Sequence, residues 1–243
     1  IAKNWIQKKK YGLASKYEFK KWIIKIKIMD KKIVYVKNKN TGGHFCFQNE
    51  GSKLPFTNNM TECRSVKLLP TDIVADMGAY VGEFSILAMK SGVKKVYSYE
   101  PTPDTFEVLK KNVRPNMNPI NAAVVGDNAK TIDLYISSGI GVTNSIAKKA
   151  RKKESIKVKA IKYEEALKDA NVVKIDVEGA EYGFNIIQPQ LRVIILEFHP
   201  IVGKNWQRKA FEIMSKIEQS GFIPIMKPKF KNGWDVSCCY VKK

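Results

Sequence analysis

The chain has 243 residues, enough for one α/β domain with embellishments. Its 44% hydrophobic and 27% charged content is ordinary for a globular protein, and no run of about 18 or more apolar residues is present to span a bilayer, so it reads as soluble. The formal charge of +20 sits at the periphery. Residues 1–39 carry 13 Lys against Glu18 and Asp30, residues 148–162 carry eight basic residues against Glu154, and residues 204–243 carry nine against three, leaving the remainder slightly acidic. Such a periphery draws polyanions: nucleic acid, an anionic membrane surface or phosphorylated substrates. A solvated Lys-rich face accounts for it equally well.

Cys46, Cys63, Cys238 and Cys239 form no C-x-x-C pair and have no zinc-type spacing with His, which points to reduced thiols and a cytoplasmic compartment. The chain starts at Ile1 rather than Met and is expected to have lost its start or to be cut from something longer.

In chain order, residues 1–28 place Trp5, Ile6, Tyr11, Phe19, Trp22, Ile23 and Ile26 as a loose apolar stripe among lysines, the pattern of an amphipathic helix. Packing on the domain is the commoner use of such a helix; peripheral membrane contact is the other. Ile33–Val36 and His44–Gln48 read as a hairpin, so residues 1–60 form a basic helix-and-hairpin extension and residues 61–243 the main domain. A short helix is expected around Glu62–Leu68.

From Asp72 onward, strand-like and helix-like stretches alternate, the pattern of a mostly parallel sheet covered by helices. Strands are expected at Asp72–Asp76, Lys95–Glu100, Ile120–Val125, Val172–Asp176 and Val193–Phe198. Helices are expected at Glu83–Ser91, at Thr102–Asn112 with Thr102 as N-cap and Pro103 at the first turn, at Glu164–Asp169, and at Trp206–Ser220 before Gly221. Thr131–Ser137 and Ser155–Ile161 read as an inserted hairpin. Phe222–Met226 and Val236–Val241, around Asn232-Gly233, read as a terminal antiparallel pair.

Three constellations carry chemistry. Asp76-Met77-Gly78-Ala79-Tyr80-Val81-Gly82 follows an apolar strand and precedes a helix, so Gly78 and Gly82 permit a tight turn and close ligand approach beside a helix N-terminus. It is not the dinucleotide fingerprint, which needs Gly where Asp76 and Val81 stand. An acidic residue there attracts a cationic ligand, such as the ammonium of an amino-acid moiety. Glu100 closes the second strand, 24 residues on, where a carboxylate accepts ribose hydroxyls. Finally, two apolar strands end in Asp176 and Glu197, with Glu178 and His199 two residues beyond each, and parallel neighbours bring such ends together at the ligand crevice.

These residues resemble the FkbM-type methyltransferases of class I. The resemblance rests on the run from Asp76 through Gly82 to Glu83-Phe84-Ser85, on Tyr99-Glu100-Pro101, on Asn121-Ala122-Ala123-Val124 before Gly126-Asp127, on Lys174-Ile175-Asp176-Val177-Glu178-Gly179-Ala180-Glu181, and on Glu197-Phe198-His199-Pro200. It implies a Rossmann-like α/β fold: a seven-stranded, mostly parallel sheet with an antiparallel last strand and helices on both faces. It also implies S-adenosylmethionine as methyl donor and O-methylation of a hydroxyl on a sugar, glycan or small metabolite. Carried over by position, Asp76, Gly78, Ala79 and Gly82 line the methionine side, Glu100 takes the ribose, and Asn121 and Ala122 the adenine. Tyr80, Phe84, Pro101 and Asp176 also border the cofactor. A variable loop near Thr143-Asn144-Ser145 lies over the site, followed by the basic cluster of residues 148–153, which is suited to steer an anionic acceptor.

Methyl transfer to a hydroxyl needs an acceptor for its proton. His199, with an ordinary pKa of about 6.5, is the expected general base, and Asp176 or Glu178 orients the acceptor or shares the role; Glu197 and Lys174 complete the catalytic set. Asp176, Glu178 and His199 are also acceptable ligands for a divalent metal, a reading ranked below metal-free proton transfer. The runner-up function is RNA ribose 2′-O-methylation, since Lys174, Asp176 and Glu197 resemble part of a Lys-Asp-Lys-Glu set, although the second Lys has no place here. A basic binding module without turnover would need neither Glu100 nor the strand-end acids. The missing first glycine argues against an NAD-dependent oxidoreductase.

Overall fold

The computed structural model describes residues 66–136, 154–200, 205–226 and 236–242, together with the backbone of three strands near the N-terminus. Those three, β1 (Lys27–Asp30), β2 (Ile33–Lys37) and β3 (His44–Gln48), form an antiparallel sheet, with Ile33 opposite Gln48 and Lys37 opposite His44. The expected hairpin is therefore present, with β1 as a third strand. The amphipathic helix expected over residues 1–28 falls outside the described residues apart from β1. So do the 60/61 boundary and the Asn232-Gly233 turn. Val66–Leu68, the described part of the helix expected around residues 62–68, is not helical.

Among the described residues, seven strands form the main sheet in the order β12-β13-β11-β10-β4-β5-β6. They are β4 (Ile73–Met77), β5 (Lys95–Tyr99), β6 (Met117–Ile120), β10 (Val172–Ile175), β11 (Val193–Phe198), β12 (Phe222–Met226) and β13 (Val236–Lys242). Neighbours from β6 to β11 are parallel, and β13 runs antiparallel to both β11 and β12. This is the sheet that the sequence leads one to expect, and it reverses strand order at β4/β10, where open α/β sheets hold ligands.

Period-two alternation sends each strand's side chains to two separate cores. On one face, Ala75, Met77, Tyr97, Tyr99, Val173, Ile175, Ile194 and Leu196 pack against helix α3 (Tyr163–Leu167) and helix α4 (Trp206–Gln219), the latter through Trp206, Ala210, Met214 and Ile217. On the other, Val74, Val96, Val172 and Val193 pack against α1 (Glu83–Lys90) and α2 (Pro103–Lys111) through Phe84, Ile86, Ala88, Val108 and Leu109. Thr102 is the N-cap residue of α2 and Pro103 opens it, as the sequence indicates.

One strand assignment is corrected. Ile120–Val125 is not continuous: β6 ends at Ile120 and β7 (Ala123–Val125) leaves for another sheet, where it pairs with β9 (Glu154–Lys162). Between them, the Ala122 N–H bonds back to the Ile120 carbonyl at 3.1 Å, which turns the chain. β9 also pairs antiparallel with β8 (Thr131–Ile136), which is the inserted hairpin.

Candidate active site

On the face covered by α1, successive same-face residues change from apolar to polar toward the carboxyl end of the strands. Val74 is followed by Asp76, Val96 by Ser98, Val172 by Lys174, and Val193 and Ile195 by Glu197. The register sets Ser98 beside Asp76 and Asp76 beside Lys174. A polar row is thereby built at the end of the sheet where strand order reverses.

Asp76 is fully buried. Its Oδ2 accepts a 2.6 Å bond from Ser85 Oγ, which is also 2.7 Å from Ser98 Oγ, and its Oδ1 lies 3.6 Å from Lys174 Nζ. Burial pushes its pKa up, against the Lys174 charge and the Ser85 bond. Lys174 Nζ donates to the Gly78 carbonyl at 2.9 Å and to Asp176 Oδ2 at 3.0 Å, tying the first glycine turn to the end of β10. Burial works to lower the Lys174 pKa, but Asp176 and Asp76 outweigh it and hold the ammonium protonated. Asp76 is thus the charge partner of Lys174.

Gly78 has φ +79°, and a Cβ there would stand 1.7 Å from the Asp176 carbonyl oxygen, so its absence lets the turn press on the chain after β10. The Gly78 and Ala79 N–H groups both donate to the Tyr99 carbonyl, at 3.0 and 2.8 Å. Gly82, at φ 92°, is the N-cap residue of α1, and Phe84, on α1, is buried. The Tyr80 hydroxyl and Glu83 Oε1 are buried without a hydrogen-bond partner, and burial raises the Glu83 pKa to about 8.

Glu100 is held by the backbone. Its Oε2 accepts from Tyr80 N–H at 3.0 Å and its Oε1 from Thr102 N–H at 2.8 Å. The Thr102 side chain bonds to Glu100 as well, and a carboxylate fixed at this strand end suits a ribose diol. Behind it, the Asn121 side-chain amide donates to the Glu100 carbonyl at 2.8 Å and to the Pro101 carbonyl at 3.2 Å, while Ala122 is fully buried. The ribose and adenine candidates are therefore one connected unit.

At the other end, β10 and β11 bring Asp176, Glu178 and His199 together. His199 Nε2 lies 3.5 Å from Asp176 Oδ1 and 3.6 Å from Glu178 Oε1. His199 is buried, whereas the Asp176 and Glu178 side chains keep 32% and 17% exposure, so the carboxylates face the crevice and the imidazole backs them. Glu178 sits at φ 53° beside Gly179 at φ 110°, an unusual conformation that turns its carboxylate back toward Asp176. Glu197 is half-buried on β11, near enough for its charge to raise the Lys174 pKa.

The sequence reading gave no role to Glu181, which is fully buried. Its Oε1 accepts the His199 backbone N–H at 2.7 Å and stands 3.5 Å from His199 Nδ1, while its Oε2 accepts the Gly179 N–H at 2.8 Å. Tyr182, next in the 3-10 turn Glu181–Gly183, donates its hydroxyl to the His199 carbonyl at 2.8 Å. These contacts change the expected chemistry of the imidazole. Burial disfavours its charged form, but the nearby Glu181 carboxylate and the charges of Glu178 and Asp176 outweigh that and raise its pKa to about 10. Asp176 moves the other way: despite burial, Lys174 and His199 hold it below the ordinary range. At neutral pH, His199 is a proton donor ringed by carboxylates.

Beside the Glu178-bearing turn lies an open cavity of about 560 Å³, lined by Gly126, Asp127, Asp133, Tyr135, Gly179 and Gly183 among others. Gly126 is required here, because a Cβ would stand 2.0 Å from the Gly183 carbonyl oxygen. The loop near Thr143-Asn144-Ser145 and the basic cluster of residues 148–153 lie outside the described residues.

The profile of the methyltransferase FkbM domain matches residues 76–224. Comparison with curated proteins returns no match. Solved structures of similar fold include M. jannaschii TYW2 in complex with AdoMet, 16% identical over 88% of this chain and 88% of that one, with a TM-score of 0.46. Another is the precorrin-6y C5,15-methyltransferase of Geobacter metallireducens GS-15, 15% identical over 75% and 86%, with a TM-score of 0.44.

Proposed function

The chain belongs to the FkbM methyltransferase domain family, and from that premise we propose that it methylates a hydroxyl group of a sugar, glycan or small metabolite. Its methyl donor is S-adenosylmethionine. Held by the residues below, it would supply an electrophilic methyl group on sulfur for transfer to the acceptor oxygen, leaving S-adenosylhomocysteine. Glu100 would hold the ribose, with Asn121 and Ala122 toward the adenine. Tyr80 and the turn from Gly78 to Gly82 would border the methionine part, where Glu83 has a buried oxygen without a partner.

The acceptor's proton is the task of the cluster beyond β10 and β11. Glu178, on the rim, accepts it, while His199 as a donor orients the reacting hydroxyl and balances the charge that Glu178 carries. In this reading the base role expected for His199 passes to Glu178, because the imidazole is already protonated. Lys174 keeps Asp176 ionised and in place.

The observation that carries the hydroxyl reading is the placement of this proton-handling cluster next to a cavity whose ionisable walls are Asp127 and Asp133, with Tyr135 beside them. Carboxylates and a phenol suit the hydroxyls of a neutral sugar and repel phosphate. The net charge of +20 favours the second reading, an RNA acceptor. A cytoplasmic location belongs to the same proposal, in keeping with the buried Cys238 and Cys239, which form no disulfide. Among the described residues no helix is long and apolar enough to cross a membrane.

The test is a methyl-transfer screen with labelled S-adenosylmethionine against neutral glycosides, acidic glycosides and RNA at two salt concentrations. Label on glycosides that is insensitive to salt supports the proposal. Label on RNA alone, falling steeply with salt, replaces it with the second reading.

A further inference from the structure

The geometry points to a divalent-cation site formed by Asp176, Glu178 and His199, taking a first-row ion such as Mn²⁺ or Zn²⁺. One ligand atom from each of the three lies within 4.8 Å of the others. The two separations from His199 Nε2, 3.5 Å to Asp176 Oδ1 and 3.6 Å to Glu178 Oε1, are long for charge-assisted hydrogen bonds, which close to about 2.7–2.9 Å. They are close to the roughly 3.4 Å edge of a tetrahedron whose centre lies about 2.1 Å from each ligand atom.

A second observation is independent of that spacing. His199 is 3% exposed, yet Nδ1 has no hydrogen-bond partner and neither ring nitrogen approaches a carboxylate closer than 3.5 Å. A buried imidazole left this way is aimed between two carboxylates with Nε2 while Glu181 stands behind Nδ1. Carboxylate, imidazole and ion in line is the arrangement by which an outer carboxylate fixes the tautomer of a metal-ligating His. The surroundings hold three carboxylates, Asp176, Glu178 and Glu181, around this one imidazole, and Lys174 is already committed to Asp176, Asp76 and the Gly78 carbonyl. A mixed imidazole and carboxylate set suits first-row ions better than Ca²⁺ or Mg²⁺, which take oxygen ligands. Two of the ligands face the crevice, so an ion held there keeps open positions toward an acceptor oxygen.

The site stands on the three side chains alone; an ion there displaces the Nε2 proton and takes over from the protonated His199 the orienting of the acceptor hydroxyl, and only that use rests on the methyltransferase reading. The experiment titrates the purified full chain, stripped with chelator, with Mn²⁺, following the loss of the free-ion electron paramagnetic resonance signal, and repeats the titration with Zn²⁺ by calorimetry. S-adenosylhomocysteine binding is measured in parallel as a check on folding and on the cofactor assignment. The expected result is one ion per chain, with binding at least tenfold weaker in Glu178→Gln, abolished in His199→Gln, and roughly 10–100-fold weaker in Glu181→Gln. No uptake of either ion below millimolar concentration, or equal uptake by Glu178→Gln that still binds S-adenosylhomocysteine, overturns the site. Failure to bind S-adenosylhomocysteine while Mn²⁺ binds would leave the ion site standing and overturn the cofactor assignment instead.

Discussion

Glu181 grips the His199 segment with one carboxylate oxygen and the Gly179 amide with the other, at 2.7 and 2.8 Å, so a single buried side chain fixes both halves of the proton-handling cluster. Glu181→Ala leaves both N–H groups unpaired, at a cost of about 1–3 kcal/mol each. Glu181→Gln keeps one carbonyl-type acceptor and turns its NH₂ toward the other amide, so it loses one bond. Urea denaturation should therefore rank wild type above Gln and Gln above Ala. Equal midpoints for the two variants would show that the two bonds do not act separately.

Gly78 offers a sharper test of how the site is assembled. A methyl group there meets the Asp176 carbonyl at 1.7 Å from a backbone already at φ +79°. Backbone on both sides leaves little room to yield. Gly78→Ala should lower thermal stability by several degrees or more and weaken S-adenosylhomocysteine binding with it, because the turn and the end of β10 must separate. Gly92→Ala also sits at positive φ, +85°, but has open space around the added carbon, and it should cost far less. Similar losses in the two variants would locate the effect in backbone conformation rather than in the contact with Asp176.

Much of this was legible in the sequence because periodicity marks strands buried on both faces and because the polar residues that interrupt it, Asp76, Lys174 and Glu197, stand at strand ends. The break after Ile120 was not legible. Asn121 looks like one polar residue in an apolar run, and only pairing shows that β6 joins β5 while β7 joins β9. Glu181 belongs to the Lys174–Glu181 motif, yet it lies in a 3-10 turn without periodicity, and its partner is a backbone amide 18 residues away. The protonation of His199 was hidden for a related reason: it depends on Asp176, Glu178 and Glu181 converging from a separate segment. Gly78, read as permitting a tight turn and close ligand approach, also packs against the Asp176 carbonyl, a contact that only the fold reveals.

The far end of the sheet separates stability from function. Asp72, fully buried, accepts bonds from Leu69 N–H at 2.7 Å, Asn171 Nδ2 at 3.0 Å and Arg192 Nε at 3.1 Å, and pairs with a second guanidinium nitrogen of Arg192. This network joins the starts of β4, β10 and β11, at the opposite ends of those strands from Asp76, Asp176 and His199. Asp72→Ala leaves the guanidinium and two further donors without that acceptor and should destabilise by about 3–5 kcal/mol. Below its unfolding transition, the variant should bind S-adenosylhomocysteine with unchanged Kd. Weaker binding in the folded variant would mean that the network reaches the crevice.

Glu100 supplies a dependence on pH. Burial, working against the bonds from Thr102 and Tyr80 and the charge of Lys174, raises its pKa from an ordinary 4.5 to about 7. Because the folded value lies above the unfolded one, the native protein takes up a proton between them. This contribution to stability is fully present below about pH 4.5 and is lost as pH rises through about 7. Cofactor binding runs in the opposite sense: the ionised carboxylate is the stronger acceptor for ribose hydroxyls, so affinity for S-adenosylhomocysteine should rise with pH through about 7 and level off above it. Glu100→Gln removes the charge, weakens binding by roughly 10–100-fold at pH 8 through loss of charge-assisted bonds, and flattens that rise. Calorimetric titrations of both proteins between pH 6 and 8.5 check this. A wild-type affinity independent of pH, or a variant that keeps the same slope, would remove Glu100 from the ribose site.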